Sequence, residues 1–185
     1  MVDLGPVRER LVCAADAVIC RSGLAAATPA AIAEQAGVSR ATAFRRLGTR
    51  NAMLHAVALR RAQQRVPTCI SAMSRESCPL QQIKTGFDYL AVELPKDPVV
   101  SELLNCSASA DLLSTDAQLL VTEIFGSAID LGRHTDKIRS DVPAEAIVEW
   151  IVEQLFLELH RRNQCVDGAR TGPSVLRWSA LTVGN

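Results

Sequence analysis

The chain has 185 residues, 48% of them hydrophobic and 4% aromatic, with 20 basic and 20 acidic side chains. That composition is too apolar and too neutral for a disordered chain, and the length suits one or two domains. No apolar run approaches the roughly 18 residues of a membrane span, and the opening MVDLGPVRER has no apolar signal core. The expectation is a soluble, cytoplasmic protein with no membrane partner.

Helical periodicity starts early. Val7, Leu11, Ala14, Ala15, Val18 and Ile19 share one stripe, while Arg8, Glu9, Arg10, Asp16 and Arg21 fall elsewhere. Pro6 suits a first turn and Gly23 a helix stop. Thr28 and Pro29 read as the N-cap and first residue of a second, short helix that ends at Gly37. Ser39 caps a third, from Arg40 to about Arg46. Only Gly37 and Val38 separate the second helix from that cap, so the two helices must cross steeply, as a helix-turn-helix requires. Ala33, Val38 and Phe44 are the buried staples expected between them. Thr49 caps a fourth helix with Met53, Leu54, Val57 and Ala58 inward, expected to stop at Val66 before Pro67.

A second region follows. Pro79 opens a helix to about Glu93, LPKDP interrupts, and Val99 to Cys106 is a short helix. Ser114 or Thr115 caps a long helix to about Arg133. Pro143 starts another to Arg162, and Ser174 to about Val183 closes the chain. The Pro143 helix is apolar around most of its circumference, with only Glu145, Glu149 and Glu153 as a clearly wet stripe. Such a helix is either central to one chain or packed on a second copy. No segment alternates like a strand, so the expected fold is all-α. The expected division is a helix-turn-helix domain at 1–50, a connecting helix at 50–66, and a helical domain at 67–185.

Net neutrality hides an asymmetry. The first 65 residues hold ten arginines, no lysine and four acids, a net +6; the remaining 120 hold ten bases and sixteen acids, a net −6. A basic first third suggests an anionic partner, and the planar guanidinium suits phosphates and guanine edges. Six cysteines at 13, 20, 69, 78, 106 and 165 contain no CxxC pair. Cys13 and Cys20 lie roughly 10 Å apart along one helix, beyond disulfide reach. No metal spacing is visible, so no cofactor is expected. The sequence has no G-x-S-x-G, no G-x-x-x-x-G-K and no H-E-x-x-H, which argues against an enzyme.

The stretch TPAAIAEQAGVSRATAFRRLGTRNAMLHAV, residues 28–57, resembles the DNA-binding domain of the tetracycline-repressor (TetR) family. Ile32-Ala33, Ala36-Gly37-Val38-Ser39 and Thr42 match the family pattern directly. Phe44 replaces its usual Tyr, Leu47 its Phe, Thr49 its Ser, Arg50 its Lys and Met53 its Leu. With the apolar helix before it, the likeness covers about 50 of 185 residues; the rest agrees in layout only.

The resemblance implies a homodimeric regulator, usually a repressor. It places its third helix in the major groove of a palindromic double-stranded operator and releases it when a small molecule enters the helical body. The DNA-contacting residues it implies are Thr28, Ser39, Arg40, Ala41, Thr42, Phe44, Arg45, Arg46 and Arg50. Phe44 lacks the family hydroxyl, so it reads as core or as a thymine-methyl contact. Candidate ligand-lining residues are Phe87, Tyr89, Leu90, Leu103, Leu104, Phe125, Ile129 and Trp150, with Tyr89, His134 and His160 as polar anchors. Candidate dimer-interface residues are Ile151, Leu155, Leu159, Leu176 and Leu181. Gly86 and Gly126 inside helices make room for a close helix or for a ligand. The alternatives are a DNA-binding protein without an effector, either architectural or using a cysteine as redox sensor.

Overall fold

The computed structural model describes residues 5–105, 114–164 and 181–182, and their regular structure is helical throughout. The elements are α1 (Pro6–Ser22), a single 3-10 turn at Leu24–Ala26, α2 (Pro29–Ala36), α3 (Arg40–Leu47), α4 (Arg50–Met73) and α5 (Pro79–Glu93). A 3-10 turn at Leu94–Lys96 leads to α6 (Pro98–Asn105), followed by α7 (Thr115–His134) and α8 (Ala144–Gln164). The closing helix expected at 174–183 lies largely outside the described residues, and so does Leu176. No helix among the described residues is long and apolar enough to cross a membrane.

The caps act as the sequence requires. Thr28, Ser39, Thr49 and Ser114 each accept a bond from the backbone N–H three residues on. Between α2 and α3, Gly37 takes the left-handed conformation at φ 64°, ψ 38°, which only a residue without Cβ adopts at little cost. The α2–α3 crossing follows from this two-residue turn.

α4 corrects one expectation. It does not stop at Val66 but continues through Pro67 to Met73. Pro67 is exposed, so the carbonyl that loses its N–H partner is on the wet side. The next turns bury Cys69 and Met73, which offsets that loss.

α1, α2 and α3 pack on one another, and α4 touches α1, α3, α5, α6 and α7. α8 packs on α7, α5 and α6. One face of it lies in the core, with Ile147, Val148, Ile151, Val152, Leu155 and Leu159 buried, while Glu145, Ala146, Glu149, Glu153 and Leu157 are exposed. Glu158 is buried there as well, and Arg161 and Arg162 both hold it, at 2.6 Å each. Burial pushes the Glu158 carboxyl up, but the two guanidiniums outweigh it and hold it below the ordinary glutamate value of 4.5. A carboxyl depressed in the fold adds stability above its unfolded pKa and loses it as pH falls through the folded one. The Tm of the parent should therefore drop more steeply than that of Glu158→Gln as pH is lowered below 4.5. Parallel curves would remove Glu158 from the acid response.

Gly86 is where three helices meet. A Cβ there would lie 2.6 Å from Met73 Sδ of α4 and 2.7 Å from Phe125 Cε1 of α7. The gap serves helix packing. At Gly126 the nearest obstacle is Thr122 Cγ2 at 3.8 Å. Gly86→Ala should thus cost about 1–3 kcal/mol despite better helix propensity, while Gly126→Ala should gain about 0.5–1 kcal/mol. Urea denaturation of both variants checks the contrast.

Candidate nucleic-acid interface and internal cavity

α3 turns Ala43 and Leu47 into the core and everything charged outward. Arg40, Ala41, Phe44, Arg45 and Arg46 are exposed, and Thr42 is half-buried. Ser39 Oγ accepts from Thr42 N at 3.1 Å and meets Thr42 Oγ1 at 2.9 Å, which rigidifies the first turn. Val38 is half-buried and Ala33 fully buried, as staples should be. Phe44 is not one: 68% of it is exposed, the largest exposure of any large apolar residue described. It lies one turn after Arg40, at the edge of the side of α3 that carries the core-facing Ala43 and Leu47.

Phe44 also borders a cleft of about 150 Å³. Thr28 and Pro29 at the start of α2, Thr49 and Arg50 at the start of α4, and the end of α3 enclose it. Two helix N-termini and one guanidinium lie at its edge, while Ala25, Ala27, Ile32, Ala43, Leu47 and Met53 make the rest of the lining apolar. Arg50 has a partner already: its Nη1 lies 3.7 Å from Glu102 Oε1 of α6, both half-exposed.

Not all of the basic charge faces out. Arg60, Arg61 and Arg65 of α4 turn toward Asp16 and Asp97. Arg61 Nε donates to Asp16 Oδ1 of α1 at 2.8 Å, and its Nη1 donates to Asp97 Oδ1 at 2.9 Å. Asp97 Oδ1 also accepts from Val99 N at 2.9 Å, capping α6. Burial works against the Arg61 charge, but the two carboxylates raise its pKa above the ordinary arginine value. One side chain thereby joins α1, α4 and the start of α6.

The body holds a second cavity, of about 90 Å³, bordered by α4, α5, α7, α8 and the start of α6. Of the eight expected lining residues only Leu90 borders it. Phe87, Leu103, Leu104, Phe125 and Ile129 are buried packing elsewhere; Tyr89 and Trp150 are half-buried and do not line it. The lining that the sequence reading missed includes His55, Ala58 and Ala62 of α4 and Val121 and Ile124 of α7. Their signal was the small pair Ala58 and Ala62, one turn apart on a wide apolar face. Leu155 and Leu159, expected at a dimer interface, border this cavity, and Ile151 is 1% exposed in the same core. Leu181 is buried too, its carbonyl accepting from Arg139 N at 3.0 Å. All four are buried against their own chain. The large apolar side chains left exposed on α7 and α8 are Leu119, Leu131 and Leu157.

His134 is exposed, with Nδ1 at 2.7 Å from Asp130 O. The His160 ring lies tilted against Phe156 at 4.6 Å between centroids, and its buried Nδ1 has no hydrogen-bond partner among the described residues. His55 Nε2 meets Ser114 Oγ at 3.3 Å. Cys69 is buried, and burial pushes its thiol up to about 11. Cys20 is exposed, with Sγ 3.4 Å from Arg61 Nη2. Native-state alkylation at pH 8 should label Cys20 and spare Cys69, as peptide mass spectrometry would show; modified Cys69 would mean that α4 and α5 open.

The architecture is a helix-turn-helix head joined by a long helix to a helical body, and solved structures share this fold. The chain is similar to RolR solved with resorcinol, at 15% identity and TM-score 0.65 over 87% of this chain and 80% of that one. It is also similar to the fatty acid degradation regulator FadR of Bacillus halodurans, at 15% identity and TM-score 0.54 over 89% and 88%. A proposed TetR-family regulator from Vibrio parahaemolyticus matches at 14% identity and TM-score 0.51 over 96% and 99%. The chain has the all-α fold of these proteins. No family model and no curated protein matches it by sequence.

Proposed function

We propose that the chain is a transcriptional regulator that binds a palindromic DNA operator as a homodimer and releases it when a small molecule fills the cavity in its body. The observation that carries the reading is the outward face of α3. Arg40, Arg45 and Arg46 stand exposed on an eight-residue helix whose other face is core. Exposed guanidiniums beside an exposed aromatic ring fit a major groove: arginine reads guanine edges and an apolar side chain meets the thymine methyl. The edge of the cleft, where Thr28, Thr49 and Arg50 stand, takes a backbone phosphate of the same duplex.

In this reading residues 1–50 are the head, 67–185 the body, and α4 the joint. Leu119, Leu131 and Leu157 supply apolar surface for a second copy. Release is supported by position. Ala58 and Ala62 of the cavity wall flank Arg61, which holds Asp16 of α1. An occupant that moves α4 or the start of α6 pulls on the head through that guanidinium. The neighbour solved with resorcinol adds a precedent for a small effector on this fold.

Selection of bound sequences from random duplex DNA tests the reading. An enriched palindrome supports a dimeric sequence reader. Binding only at low salt, with nothing enriched, sinks it and leaves an architectural protein.

A further inference from the structure

We propose that Glu102 of α6 is a built-in competitor for the DNA phosphate that Arg50 takes, so that the body lowers the affinity of its own head for DNA. This rests on the head being a DNA-binding unit, and it names a residue that regulates the contact.

Two arginines of α4 pair with α6. Arg50 and Arg61 are eleven residues apart, about three turns, which puts them on one face of the helix. α4 and α6 pack on each other, and a carboxylate meets each arginine: Asp97 at the start of α6 meets Arg61, and Glu102 further along it meets Arg50. The two pairs differ in kind. Arg61–Asp97 closes at 2.9 Å, with side chains 11% and 7% exposed. Stranding one partner of a pair that buried costs more than about 100-fold in an equilibrium constant, so it stays closed when DNA binds. Arg50–Glu102 stands at 3.7 Å, with side chains 47% and 41% exposed. A pair of that kind is worth about fivefold or less. It forms and opens readily, as a competitor must: a pair that never opened would silence Arg50, and one that never formed would not act on it.

The turn of α6 that carries Glu102 is fixed to the body. Ser101 Oγ donates to Asn163 Oδ1 of α8 at 2.7 Å, and Asn163 Nδ2 donates to Asn105 Oδ1 at 2.8 Å. One amide thus clamps positions 101 and 105 and holds Glu102 between them. Arg50, the first residue of α4, stands at the edge of the head cleft with Thr28 and Thr49. A guanidinium takes a carboxylate and a phosphate through the same N–H fork. The two anions therefore draw on one group, and a phosphate on Arg50 meets a like charge on Glu102.

The test uses the intact chain, the operator duplex selected from random DNA and a scrambled duplex of equal length, with affinity read by fluorescence anisotropy. Glu102→Gln, close in shape and uncharged, is expected to raise affinity about two- to fivefold. The gain should be equal on both duplexes, because a phosphate contact carries no sequence information. Arg50→Ala should weaken binding, lower the salt slope by about 1 and erase the gain from Glu102→Gln. Both side chains are half-exposed, so the variants keep the fold, which thermal unfolding verifies. A gain that persists in the Arg50→Ala background overturns the proposal, since Glu102 then repels the duplex at long range. No gain from Glu102→Gln overturns it too, and so does weaker binding, which would make Glu102 the group that positions Arg50 for DNA. An Arg50→Ala variant that binds like the parent removes the phosphate contact and the proposal with it, while an enriched operator leaves the regulator reading standing. If no sequence is enriched, the regulator reading falls, and the same variants on the scrambled duplex at low salt still decide whether Glu102 competes for Arg50.

Discussion

Arg61→Met is expected to unfold about 3 kcal/mol more easily than the parent, the low end of the range for breaking a buried pair. The reason is what the substitution leaves behind. Asp97 is 7% exposed and loses its 2.9 Å bond, keeping only Val99 N–H and the more distant Arg65 at 3.8 Å. Asp16 loses its 2.8 Å partner and retains Arg60 at 3.9 Å. Methionine replaces much of the apolar stem, so the loss reports charge and not a void. Asp97→Asn in the Arg61→Met background should recover part of the loss, because the stranded charge is gone. A double-mutant cycle measures the coupling. A loss below about 0.5 kcal/mol for Arg61→Met would mean the network is as weak as an exposed ion pair. If the network is the joint between body and head, Arg61→Met should also blunt ligand-driven DNA release more than it weakens DNA binding itself.

This network shows where sequence reading stops. The helices were legible because local chemistry sets them: Thr28, Ser39, Thr49 and Ser114 cap where a hydroxyl precedes an apolar-periodic run. The head was legible because a two-residue turn at Gly37-Val38 leaves few ways to pack two helices. Asp16, Arg61 and Asp97 are 45 and 36 residues apart, and no local pattern joins them. The basic first third was therefore overread as surface: three of its ten arginines serve this internal junction. Pro67 misled for a related reason. A proline stops a helix only where the lost bond is not offset, and here Cys69 and Met73 bury beyond it. The cavity was least legible. Aromatic residues drew the expectation, yet Phe87 and Phe125 are 1% and 0% exposed and fill space, while small side chains on α4 leave it open. Ile151, Leu155 and Leu159, expected at an interface, are buried in their own chain, because an apolar excess in the sequence reads the same for a core face and for an interface face.

The α3 arginines carry the other large effect. Arg40→Ala, Arg45→Ala and Arg46→Ala together should lower affinity for the selected operator by at least about 100-fold, since one bidentate base contact alone is worth about 1–3 kcal/mol. The fold should not notice, because all three are exposed and none bonds a buried group; stability should stay within about 0.5 kcal/mol. The single variants sort the roles. An arginine on phosphate lowers the salt slope by about 1 and weakens all sequences alike, whereas one on a base edge relaxes a single operator position. Phe44→Ala belongs in the same set. At 68% exposure it contributes little to the core, so a loss of discrimination at one thymine would place the ring in the groove. A triple variant that binds the selected operator as tightly as the parent would remove α3 as the reading helix and, with it, the function proposed for this fold.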